Sequence, residues 1–240
     1  MGKKGTDIRS SHHAGGGSKQ GLGIRKFYTD LDTQHYLRLL VTILFSFITT
    51  AILLYPEKFQ MGSFPLSALG RKLTPSGLQN IYSRIVFDAG MLLCGYTMYL
   101  LARYYARRQP VPDAPVYVFL SYLSSAGFIL MAVPCDVPEV RFLHSVGSGF
   151  VVGGHFFMAS IRLIAVRMHM KGWLFWLLLS ILACCVLFYA MLWFFGIPYH
   201  PLFQKPAFAA IIYVELHGSS LSRFRGEREV SRSLLFRQLH

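Results

Sequence analysis

Two carboxylates, a guanidinium and an imidazole crowd together in Pro134-Cys135-Asp136-Val137-Pro138-Glu139-Val140-Arg141, with His144 just beyond. A carboxylate beside an imidazole can transfer protons or support metal chemistry. The same residue types also serve as hydrogen-bonded caps that close helix ends, and the sequence leaves both uses open. Tyr199, His200, Gln204 and Lys205 bring a second polar group after a long apolar run. Arg84 and Asp88 stand one helical turn apart and can pair with each other, which lowers the cost of placing charge at bilayer depth. Asp136, Glu139, His144, Arg84, Asp88 and Lys205 are therefore candidates for one polar pocket at the mouth of a bundle.

Neither a metal nor a cofactor is expected. His155 lies eleven residues after His144, so the two imidazoles share a helix face but sit about 16 Å apart along the axis, too far to ligate one ion. His144, His155 and His217 do not form two pairs at matching depths, which argues against haem. The four cysteines include no CxxC pair. Cys94, Cys184 and Cys185 fall in apolar runs, where Cys is a small filler, and Cys135 has no evident disulfide partner. The absence of a complete nucleophile, base and orienter set within the spans argues against an enzyme.

The elements that must position these groups are membrane helices. Of the 240 residues 53% are apolar and 15% charged, and the mean hydropathy is +0.42. Half the chain suffices for six crossings at about 20 residues each, which excludes a large soluble domain. The fold class is all-α, a six-transmembrane-helix bundle. Apolar runs bounded by charges, Pro or Gly place the spans at about 37–54, 81–101, 116–133, 144–166, 173–195 and 202–216. The fifth is the most apolar, with Trp173, Trp176 and Trp193 toward its ends, as in an aromatic belt. The sixth is the weakest, because Gln204-Lys205-Pro206 opens it and Glu215 lies near its end. Glu215 and His217 are expected to pair with loop arginines and anchor that span.

The formal charge of +13 reads first as a topology signal. With the N-terminus in the cytosol, eighteen of the 24 Lys and Arg fall on the cytosolic side, Arg162 among them, and six on the other. That bias favours an even number of crossings with both termini cytosolic. No nucleic-acid partner is expected, whereas membrane lipids are. Residues 1–35 read as a disordered, basic cytosolic leader without a signal peptide. Its first residues have the outline of a myristoylation signal, although Lys3 beside the acceptor Gly2 is unfavourable. Residues 219–240 alternate Arg with apolar residues and form a basic cytosolic tail that either lies on an anionic leaflet or simply fixes orientation.

The fourth span carries Ser145, Gly149 and Gly153 at intervals of four, a stripe on which another helix can approach closely. Internal packing is the first reading of this stripe, and a homo-oligomer seam the second.

Further motifs follow in order: Ser67-Ala68-Leu69-Gly70 in the first outer loop, Phe87-Asp88-Ala89-Gly90 in the second span, Pro134-Cys135-Asp136 with His144, and Gly154-His155-Phe156-Phe157. Over about residues 36–218 this order resembles six-span membrane proteins of the FRAG/DRAM/Sfk type, the Cwh-type lipid remodellers and their prokaryotic relatives. The resemblance implies a multi-pass protein, in eukaryotes often of the endomembrane system or plasma membrane, associated with lipid or GPI-anchor remodelling, lipid asymmetry or autophagy. It implies no agreed catalytic mechanism. Ser67, Gly70, Asp136 and His144 are the matching positions, and Ser67 thereby joins the candidate pocket. Many members carry an acidic residue after that Ser, where this chain has Ala68. A lipid-handling protein is the leading expectation, with a non-enzymatic scaffold or regulator as the alternative.

Overall fold

The computed structural model describes residues 31–107, 114–167, 170–197 and 200–217. Most of the leader and the whole tail, residues 219–240, lie outside the described residues. Helix α1 spans Leu31–Leu53, α2 Ile81–Arg107, α3 Ala114–Met131, α4 Arg141–Val166 and α5 Gly172–Phe194, with a short 3-10 turn, η1, at Leu66–Gly70. A further helix, α6, covers 200–217. The first five α-helices are long and apolar enough to cross a membrane. Helix α6, with Gln204, Lys205, Glu215 and His217, is not among them.

Local chemistry sets the ends. Helix α3 opens with Ala114-Pro115, where the missing proline amide costs nothing in the first turn. Helix α5 closes at Gly196, whose φ of 66° lets Ile197 N reach Leu192 O at 2.9 Å and Gly196 N reach Trp193 O at 3.1 Å. That pair of bonds is a Schellman stop.

Two helices run past their apolar cores. Helix α1 begins at Leu31, so residues 31–35 are helical rather than part of a disordered leader. Thr33 and Gln34 are buried, and Tyr36 meets Tyr104 of α2 at 5.7 Å between ring centroids. Helix α2 continues to Arg107 because Tyr105, near its end, is fully enclosed.

Two apolar clusters make the core. One joins α1, α2, α3 and α4, with Phe208 and Leu216 of α6 against it. The other joins α4, α5 and the opposite side of α6 through Ala207, Ala210, Ile211 and Val214. Helix α6 thus bridges the two clusters. Outward-facing Phe45, Ile85, Phe119, Phe157, Trp173 and Phe194 are exposed, which suits hydrocarbon rather than water.

Close helix contact comes from glycines other than those of the stripe. A Cβ on Gly147 would lie 2.6 Å from Gly127 O, and one on Gly127 2.8 Å from Gly147 O, so α3 and α4 cross backbone to backbone there. Gly154 likewise packs on Ser124. Gly149 and Gly153 have nothing within 4 Å of that position among the described residues, and Ser145 is only half-buried. The stripe of Ser145, Gly149 and Gly153 does not form the internal α3–α4 contact.

Candidate functional site

The loop between α1 and α2 folds over the end of the bundle, and the polar residues of the α3–α4 connection hold it down. Asp136 Oδ2 accepts the amides of Lys72 and Leu73 at 2.7 and 3.1 Å. Cys135 Sγ donates to Ser67 O at 3.4 Å. From inside the loop, Asn80 Nδ2 donates to Leu69 O and Arg71 O at 2.9 and 3.1 Å. Gly70 has no room for a side chain, since a Cβ would lie 2.8 Å from the Phe87 ring. The match positions Ser67, Gly70 and Asp136 thus share one structural job, closing this loop onto α2 and the α3–α4 connection.

His144 acts in the same way. Buried at the head of α4, it meets Val133 O through Nδ1 at 2.9 Å, which assigns the proton to Nδ1 and ties α4 to the end of α3. Burial pushes the Cys135 thiol up from its ordinary value, with nearby Arg71 acting in the opposite direction.

The expected single pocket is divided into separate places. Arg84, Asp88 and Asp136 line a polar cleft of about 590 Å³ with Lys72 and Asn80. In it Arg84 Nε lies 3.4 Å from Asp88 Oδ2. His144 is not part of this cleft, and Glu139 is exposed on the connection. Lys205 lines a different, apolar cavity.

That cavity measures about 550 Å³. Phe45 and Ile48 of α1, Met91 of α2, Phe128 of α3, and Phe208 and Ile212 of α6 form its walls. Gln204 and Lys205 stand at one end with Met61 and Leu66 of the loop, and Leu216 and His217 at the other. From Lys205 to His217 the helical rise gives about 18 Å, a little over half of a bilayer's hydrocarbon thickness. Phe45 and Tyr213 line the cavity and are themselves exposed, so it opens sideways between α1 and α6. Gln204 bonds at both ends of its amide: its Oε1 accepts Leu66 N at 2.9 Å and its Nε2 donates to Tyr189 OH at 3.4 Å. Lys205 Nζ donates to Phe64 O and Pro201 O at 2.7 and 2.6 Å.

A third polar group lies inside the bundle. Glu215 receives His155 Nδ1 at 3.0 Å on Oε1 and 3.2 Å on Oε2. Arg162 reaches the Glu215 main-chain carbonyl at 3.5 Å and donates to Tyr105 OH at 3.1 Å. Its guanidinium also sits 5.8 Å from the Tyr117 ring centroid, a cation–π arrangement. His155, Arg162, Glu215, Tyr105 and Tyr117 are all buried, and His155 Nε2 has no protein partner among the described residues.

Sequence reasoning missed this assembly. It placed Arg162 in the cytosol and paired Glu215 with loop arginines, whereas both belong to the bundle core. The available signal was the spacing of His155 and Arg162, seven apart and so on one face of α4, at depths where ionisable groups need a partner.

Taken together, the chain is all-helical over its described residues and has the helices of a multi-pass integral membrane protein. No family model, no curated protein and no solved structure matches it.

Proposed function

We propose that this protein binds a membrane lipid in the cavity between α1, α2, α3 and α6, and that lipid handling is its function. The observation that carries the reading is the cavity itself, an apolar chamber of about 550 Å³ that ends on a cation. Its size lies in the range of sites that enclose one small ligand. A lateral opening in a membrane protein admits hydrocarbon rather than water. The resemblance to lipid-remodelling six-span proteins points in the same direction, and we propose membership of that group on those motifs.

In this reading α6 is a sixth crossing despite its polar residues, because Glu215 is partnered inside the bundle and Lys205 lies near an edge. Both termini then face the cytosol. Removing buried Arg162 from the cytosolic tally leaves the charge bias strongly in favour of that orientation. Cys introduced at exposed Ser76 should react with an impermeant maleimide from the non-cytosolic side. Reaction from the cytosol alone contradicts the orientation.

Native mass spectrometry tests the binding. The gently solubilised protein should retain one lipid, and stripping it should lower the melting temperature until lipid is returned. A ligand at 100 times its Kd stabilises by about 2.7 kcal/mol. No retained lipid and no stabilisation by added lipid would contradict the reading.

The outward-facing stripe of Ser145, Gly149 and Gly153 favours a second reading, a scaffold that assembles through α4. Light scattering in micelles distinguishes it, since Gly149→Leu should then dissociate an oligomer.

A further inference from the structure

Resting on the lipid-binding reading, we infer that the ligand is a single-chain lipid with an anionic head, held by Lys205. The charge supports this. Lys205 carries three N–H donors and uses two of them on main-chain carbonyls. No carboxylate among the described residues pairs with it. Its ammonium is therefore held by neutral oxygens, with one donor left, on a side chain that lines one end of an apolar chamber. A carboxylate or phosphate monoester is the complement, through a charge-assisted hydrogen bond. Gln204 beside it is neutral and uses one N–H and one lone pair of its amide on Tyr189 and Leu66, so it supplies no charge to a ligand.

Length and volume fix the tail. An extended chain advances roughly 1.2 Å per backbone bond, taken from about 3.5 Å per three-bond residue. The distance of about 18 Å from Lys205 to His217 along α6 therefore accommodates about 15 carbons. The walls along that path are mainly Phe, Ile, Met and Leu, with Ala209 and Tyr213. A volume of about 550 Å³ holds one such tail, so a second chain would have to lie outside the chamber.

The test uses the full chain in detergent micelles and a diazirine-tagged palmitate as probe. Cross-links should map to α1 and α6. Unlabelled palmitate and palmitoyl lysophosphatidate should displace the probe. Neutral monopalmitoylglycerol and two-chain dipalmitoyl phosphatidate should be about tenfold weaker competitors, which corresponds to about 1.4 kcal/mol. Lys205→Gln, which keeps a donor for the loop carbonyls, should abolish the preference for anionic heads. Ala209→Phe on α6 and Ile48→Trp on α1 should block labelling by filling the chamber.

Equal competition by the neutral lipid, or unchanged selectivity in Lys205→Gln, overturns the anionic head and leaves the lipid-binding reading standing. Equal competition by dipalmitoyl phosphatidate overturns the single chain. If Ala209→Phe or Ile48→Trp melts like the wild type and still labels fully, the cavity is not the site and both readings fall.

Discussion

Replacing Glu215 by Leu should be among the most damaging single changes in this chain. The substitution leaves the buried Arg162 cation with Tyr105 OH, the main-chain carbonyl of residue 215 and the Tyr117 side chain among the described residues, while His155 loses its acceptor. Among these residues the Glu215 carboxylate is the negative charge near Arg162 in this core, and leaving a buried charge uncompensated costs about 3–5 kcal/mol. At about 2–4 °C per kcal/mol for a chain of this size, the melting temperature should fall by roughly 6–20 °C. Thermal unfolding in micelles, followed by circular dichroism, reads the effect. The argument also requires a recovery. Glu215→Leu combined with Arg162→Met and His155→Phe removes every charge of the group, and buried ion clusters exchanged for packed apolar residues are often neutral or stabilising. The triple variant should regain most of the loss. A shift below about 2 °C in Glu215→Leu, or a triple variant as unstable as the single one, would refute the claim that uncompensated buried charge drives the effect.

Further outcomes follow from the packing. Gly147→Ala places a Cβ 2.6 Å from Gly127 O and should destabilise by about 1–3 kcal/mol. Gly149→Ala meets nothing among the described residues and should be neutral or slightly stabilising in unfolding assays. Asp136→Ala removes the acceptor of two loop amides and should speed proteolysis between residues 54 and 80, with a stability loss of about 1 kcal/mol because the carboxylate is exposed. Cys135, whose folded-state thiol titrates above its ordinary value, should react with maleimide more slowly at pH 8 than after unfolding, and its rate should climb at higher pH. Equal rates in the two states would contradict the burial argument.

Much of the architecture was legible because hydrocarbon solubility writes itself into long apolar runs. Helix α5, with an almost unbroken run from Trp173 to Phe195, falls within a residue of where hydropathy puts it. The extra turn of α1 was hidden, since Thr33 and Gln34 look like a polar leader until Tyr104 and Tyr105 of α2 provide a surface to pack on. Face was harder to read than position. Gly147 and Gly154 are seven apart, within about 20° of two full turns, while Gly149 lies about 200° around from Gly147. The sequence presents both rows of small residues on α4, and only α3, with Gly127 and Ser124, selects one. Candidate site residues separated for a related reason. Asp136 and His144 are close along the chain, yet one caps a loop and the other a helix junction. Lys205 was read as one of a polar group, but the cavity behind it is assembled from four helices and has no local signature. The core group was missed because Arg162 and Glu215 each sit near the end of an apolar run, where a charge reads as a flank.

The most direct test of the account is an experimental density map of the protein in lipid nanodiscs. Lipid binding predicts an elongated density about 18 Å long between α1 and α6, starting at Lys205 and running toward His217, with its brighter end at the ammonium. Helices α1 and α6 packed directly together, with Phe45, Ile48 and Phe208 filling the space and no density between them, would contradict it.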